Sequence, residues 1–84
     1  MYQVLLERSA ERDLRRLPSD VHDQMIEAIG ALAGDPRPPG CRKLAGSKND
    51  WRIRTGDYRI VYEIADAVRI VRVHRVRHRR DVYR

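Results

Sequence analysis

The stretch WRIRTGDYRIVYEI, residues 51–64, alternates apolar and polar side chains on either side of Gly56-Asp57. Alternation with period two marks strands that bury one face, and a glycine leading a two-residue turn favours a type II′ hairpin. Such a turn sets Thr55 opposite Tyr58, Arg54 opposite Arg59, Ile53 opposite Ile60 and Arg52 opposite Val61. Asp66-Ala67 or a neighbouring pair is expected to turn the chain again into a strand over Val68–Val76; a turn at Asp66-Ala67 sets Tyr62 opposite Val71, Ile60 opposite Val73 and Arg59 opposite His74. In that register Trp51, Ile53, Ile60, Tyr62, Val71 and Val73 share one face. Arg52, Arg54, Arg59, Arg72 and His74 share the other, with Val61, Glu63, Ile70 and Val76 among them.

Upstream, Tyr2 to Glu7 alternates and reads as a first strand. Ser9 is a natural helix cap, and Ala10, Leu14 and Leu17 follow at i, i+4 and i+7, the spacing of a short amphipathic helix. Pro18 interrupts it, and Ser19 or Asp20 can cap a second helix whose apolar stripe is Val21, Met25, Ile26, Ala28, Ile29 and Leu32. Gly34-Asp35-Pro36 ends that helix. Residues 35–50 hold three of the four prolines and read as a connector, with Arg37, Arg42, Lys43 and Lys48 making it a candidate binding loop as well. The predicted fold class is α+β in the order βααβββ. A small twisted sheet of antiparallel type carries a helical hairpin on one face and leaves a basic face open.

At 84 residues the chain has room for a single domain, 1–84, with one thin core. No apolar run approaches the ~20 residues that span a bilayer, and the N-terminus has neither the basic start nor the apolar stretch of a signal peptide. No membrane is expected, and the expected location is cytoplasmic. One cysteine, Cys41, cannot form an internal disulfide. The charge says more. Of 18 basic residues all but Lys43 and Lys48 are arginine, and the whole net charge of +6 falls in residues 51–84. Guanidinium groups suit phosphate oxygens and stack on bases, so a nucleic acid is implied, alongside an acidic protein or a merely solubilising surface.

The hairpin register narrows this choice. Like charges facing each other on neighbouring strands destabilise a sheet by up to ~1 kcal/mol. Arg54 facing Arg59 beside Arg52 is thus a poor choice for stability, and an arriving anion would offset the repulsion. The tail after the last strand adds His78, Arg79, Arg80 and Tyr83, with Asp81 breaking the positive run. Cys41, His22, His74 and His78 have no metal-ligand spacing, and the scattered glycines form no nucleotide-binding loop, so no metal and no cofactor are expected.

Leu17-Pro18, Asp35-Pro36-Arg37-Pro38, Lys43-Leu44-Ala45-Gly46, the RIRTGDYRIVY segment 52–62 and HRRDVY at 78–83 together resemble the RelE/ParE toxin superfamily, the RelE branch most closely. The resemblance covers essentially the whole chain. It implies the toxin of a type II toxin–antitoxin pair, a ribosome-dependent endoribonuclease that cuts mRNA in the A site. It also implies a cognate antitoxin that neutralises the toxin, with the complex binding operator DNA through the antitoxin. By the same resemblance Arg52 and Arg54 stand at basic positions of the second strand and Arg59 at the arginine of the Tyr-Arg pair. Arg79 or Arg80 stands at a later arginine, and Tyr83 at a tyrosine that stacks on a base.

The implied reaction is attack of a ribose 2′-hydroxyl on the adjacent phosphorus, giving a 2′,3′-cyclic phosphate and a free 5′-hydroxyl. It needs a base, positive charge for the phosphorane and an acid for the leaving oxygen. Arg59 and Arg79 suit charge stabilisation, His78, preferred over His74 on its strand between arginines, suits proton transfer, and Tyr83 suits stacking, so these four are the expected catalytic residues. Arg52, Arg54, Arg72, His74 and Arg80 are the expected RNA-binding residues. The competing reading is a ParE-like poison of DNA gyrase, which would bind a protein target and cleave no RNA.

Overall fold

The computed structural model describes residues 1–82. The elements run β1 (Gln3–Leu6), α1 (Arg8–Arg15), α2 (Ser19–Ala31), β2 (Arg42–Lys43), β3 (Asp50–Thr55), β4 (Tyr58–Ala65), a one-turn 3₁₀ helix (Asp66–Val68), β5 (Ile70–His78) and α3 (Arg79–Val82). The α+β class and the order of the main elements match the sequence reading. The sheet is mixed rather than antiparallel, in the order β1-β5-β4-β3-β2, because β1 pairs parallel to β5, Val4 with Val71 and Leu6 with Val73. Alternation locates a strand but does not give its direction. Here two helices and a long connector separate β1 from the rest of the sheet, long enough for a crossover connection.

The β3–β4 hairpin has the register expected from its turn, from Thr55 opposite Tyr58 to Arg52 opposite Val61. Gly56 takes φ +60°, which a side chain there would resist, while Asp57 stays at negative φ, as a type II′ turn requires. The next register differs from the expected one. Asp66 to Arg69, rather than two residues, turn the chain, with Arg69 in the left-handed region at φ 54°. Tyr62 therefore faces Val73, and Ile64 faces Val71. A displacement by two residues leaves every side chain on its expected face. A β-bulge then changes the parity. Val61 faces Arg75 while Tyr62 faces Val73, so His74 is the extra residue. Beyond it Val76 lies opposite Ile60 and is buried, instead of joining the basic face, and Arg77 rather than His74 lies opposite Arg59.

The core lies between the helices and one face of the sheet. Ala10, Leu14, Met25, Ile29 and Leu32 pack on Ile60, Tyr62, Ile64, Val71, Val73 and Val76. Ile26, expected in the apolar stripe, is 43% exposed on the outer side of α2. Ser9 lies inside α1, whose cap position is Glu7, and its Oγ donates to the His74 carbonyl at 2.6 Å. Asp13 of α1 is buried over the bulge, where its carboxylate accepts the Val76 N–H at 2.9 Å and the Arg75 Nε–H at 2.9 Å. The helix is pinned where the strand is irregular.

A strap after α2 is fixed to the β4–β5 turn. Tyr62 Oη donates to the Pro36 carbonyl at 2.8 Å, and burial raises its pKa. Arg37 donates through both terminal nitrogens to Asp66, at 3.2 and 2.8 Å, and lies over the Trp51 ring at 5.0 Å. Tyr2 Oη also donates to Asp66, at 2.6 Å. These hydrogen bonds, Arg37's first, hold the Asp66 carboxyl down at about 2. A depressed carboxyl contributes stability above its unfolded pKa near 4 and loses it as pH falls through the folded value. In acid titrations followed by circular dichroism, wild-type protein is expected to exceed Asp66→Asn in stability at pH 5. The difference should close by about pH 2. A difference that stays constant across that window would contradict the account.

Candidate nucleic-acid interface

The sheet face opposite the helices is divided in two by charge. On one half each basic group meets an acid. Arg72 donates to Glu63 at 2.7 Å, and His74 lies between Glu7, 2.8 Å from Nδ1, and Asp50, 3.4 Å from Nε2. On the other half, Arg54, Arg59 and Arg77 face one another in a row across β3, β4 and β5. Arg52 and Arg42 are likewise opposite each other on β3 and β2.

Two cavities open on this second half. The larger, about 270 Å³, is lined by Gly40, Arg42, Arg52, Arg54 and Arg59. The smaller, about 190 Å³, is lined by Arg54, Gly56, Asp57, Arg59 and Arg79. Arg54 and Arg59 form the wall between them. Among the described residues, Arg42, Arg52 and Arg54 enter no ion pair, whereas Arg37, Arg72 and Arg75 do. Three such cations thus line one concave surface with Arg59. Arg59 is only 5% exposed, so its guanidinium is held in place by its neighbours. Positive charge fixed in advance in a partly dehydrated site binds an anion with little loss of side-chain freedom.

Of the residues expected from the sequence, Arg52, Arg54, Arg59 and Arg79 come together on these cavities. Arg72 and His74 lie on the same face but within the ion-paired half. His78 does not join them. It pairs across the sheet with Tyr58, its ring edge-on to the Tyr58 ring at 5.2 Å, and its Nδ1 accepts the Arg80 N–H. It lines a separate recess with Asp13, Arg75 and Asp81, because the parity change at the bulge turns it away from Arg59. Arg80 is exposed on α3 and lines neither arginine cavity. Tyr83 lies outside the described residues.

Two arginines emerge that were not expected. Arg77 becomes visible only once the bulge sets it opposite Arg59. Arg42 lay in the connector already marked by its basic residues, and it enters the larger cavity because β2 pairs with β3. At the edge of the smaller cavity, α3 begins on the hairpin turn, where the Arg79 N–H donates to the Asp57 carbonyl at 2.8 Å.

A five-stranded mixed sheet with a helical hairpin on one face and an arginine-lined hollow on the other describes a class of small toxins. The chain belongs to the family described as the ParE toxin of type II toxin–antitoxin systems, whose sequence profile matches residues 4–83. Toxin RelG of Mycobacterium tuberculosis is 38% identical over 87 residues, covering 99% of this chain and 97% of that protein. Toxin RelE of the same organism is 32% identical over 84 residues, with 99% and 87% covered. Among solved structures, a chain of the M. tuberculosis RelBE2 toxin–antitoxin complex superposes with a TM-score of 0.81 at 32% identity, over 92% of this chain and 96% of that one. The isolated Escherichia coli RelE toxin superposes with a TM-score of 0.79 at 26% identity, over 93% and 84%. The resemblance read from RIRTGDYRIVY and HRRDVY holds along the whole chain.

Proposed function

We propose that this toxin cleaves messenger RNA in the ribosomal A site by 2′-hydroxyl attack, leaving a 2′,3′-cyclic phosphate and a 5′-hydroxyl. The observation that carries the proposal is the convergence of Arg42, Arg52, Arg54 and Arg59 on one cavity, with Arg79 beside it. A chain that bound only a protein target would have no need to gather like charges at a local cost to the sheet. Arg54 and Arg59 grip the reacting phosphate and stabilise the charge that develops on it, and Arg42 and Arg52 hold the adjoining backbone. Tyr83 stacks on a base, His78 and Arg80 contact the RNA or ribosome beside α3, and Arg72 and His74 border the strand at its ion-paired side. The ribosome supplies the codon's orientation, so naked RNA is bound but cut poorly.

Solved relatives include toxin–antitoxin complexes. We assign this chain a cognate antitoxin that covers it, silences it in the cytoplasm and carries the complex to operator DNA. Val61 and Ile70 offer that antitoxin apolar contacts on the open face. Val76, buried in the core, offers none.

Phosphate contacts release counterions, about 0.7 per contact on a single strand. Binding of single-stranded RNA measured by fluorescence anisotropy is expected to weaken with salt at a log–log slope of about −3, from roughly four contacts. A slope near zero would contradict a phosphate-binding cavity.

A further inference from the structure

The arginine cavities contain the positive charge that a phosphorane needs, but the reaction also needs a group to take the 2′-hydroxyl proton. Arginine stays protonated up to pH ~12 and cannot serve. Both ring nitrogens of His74 face carboxylates, and His78 lines the recess on the helix side. Among the described residues lining either arginine cavity, Asp57 is the one side chain with a proton-accepting group. It stands in the type II′ turn, exposed to solvent, facing Arg54 of β3, Arg59 of β4 and Arg79 of α3 across the smaller cavity. The nearest of these, Arg79 Nε, is 4.0 Å from its carboxylate. That separation is long for a committed ion pair, so the oxygens remain available to a ligand.

We propose that the carboxylate of Asp57 is the general base of the cleavage reaction, an inference that rests on the ribonuclease reading above. The scissile phosphate lies against the Arg54–Arg59 wall with its 5′-flanking ribose in the smaller cavity. Asp57 takes the proton of the 2′-hydroxyl as the 2′-oxygen forms its bond to phosphorus. The bond from phosphorus to the 5′-oxygen breaks, that oxygen takes its proton from solvent, and the 2′,3′-cyclic phosphate is left. Asp57 later returns its proton to water. The same three arginines steady the charge that develops on the phosphorane.

The test is single-turnover cleavage of A-site mRNA on ribosomes, comparing wild type with Asp57→Asn, a substitution that suits the turn. The variant is expected to lose about 100-fold or more in rate. Its affinity for ribosomes carrying a 2′-O-methyl codon, which cannot react, should stay within a few-fold of wild type. The wild-type rate should fall with slope one on the acidic side of its pH profile, and the variant's profile should lack that limb. Equal rates and equal profiles would overturn the assignment while leaving the ribonuclease reading intact. Loss of affinity in parallel with rate would also overturn it, since Asp57 would then only position the turn and α3. Wild-type protein that cuts nothing on the ribosome would remove both readings together.

Discussion

Arg59→Ala is expected to lower A-site cleavage by about 100- to 1,000-fold, the loss typical when one preorganised charge is taken from a developing oxyanion. Arg59 is the most buried of the cavity arginines, at 5% exposure, and with Arg54 it lines both hollows. It also stands between Arg54 and Arg77 in the cross-strand row, so it is the cation that any phosphate entering from either side must meet. Two opposing terms govern folding of the variant. Loss of the packed arginine stem and of the contacts its guanidinium makes costs stability, and relief of like-charge repulsion returns part of it, up to ~1 kcal/mol per facing pair. Circular dichroism should therefore show a folded variant. Arg59→Lys keeps the charge but loses the planar fork, and its rate should fall between wild type and alanine. Cleavage by Arg59→Ala at the wild-type rate would show that the cavity is not where the phosphate reacts.

The largest effect on stability is expected at Asp13. Its carboxylate, 9% exposed, receives the Val76 N–H and two bonds from Arg75, and so closes the irregular stretch where His74 has no cross-strand partner. Alanine would leave the buried Val76 N–H without an acceptor and separate α1 from the strand that it braces. Breaking a buried charged hydrogen-bond network by removing one partner costs about 3 kcal/mol. For a domain of this size that corresponds to a midpoint about 15 °C lower in thermal denaturation. Asp13→Asn keeps an acceptor for Val76 and should lose less than alanine. A midpoint for Asp13→Ala within a degree or two of wild type would contradict the role assigned to this contact.

The two results differ in how far each was legible in the sequence. Arg54 opposite Arg59 follows from Gly56-Asp57 alone, because a two-residue turn fixes the register of the strands beside it. The helices, the connector and the basic face follow from local periodicity. Asp13 over the bulge does not, because a bulge is set by the fit between α1 and β5, distant in sequence. The same bulge moved Val76 into the core, brought Arg77 to the site and turned His78 away from it. The parallel pairing of β1 is also a long-range choice, which the alternation of Tyr2, Val4 and Leu6 leaves undetermined.

Primer extension on a reporter mRNA translated in a reconstituted system tests the central claim most directly, with wild-type protein and Arg59→Ala side by side. The account predicts cuts within the A-site codon that appear only when ribosomes are present and disappear in the variant. Intact mRNA in the presence of folded toxin, together with gyrase-dependent breakage of DNA by the same preparation, would contradict it.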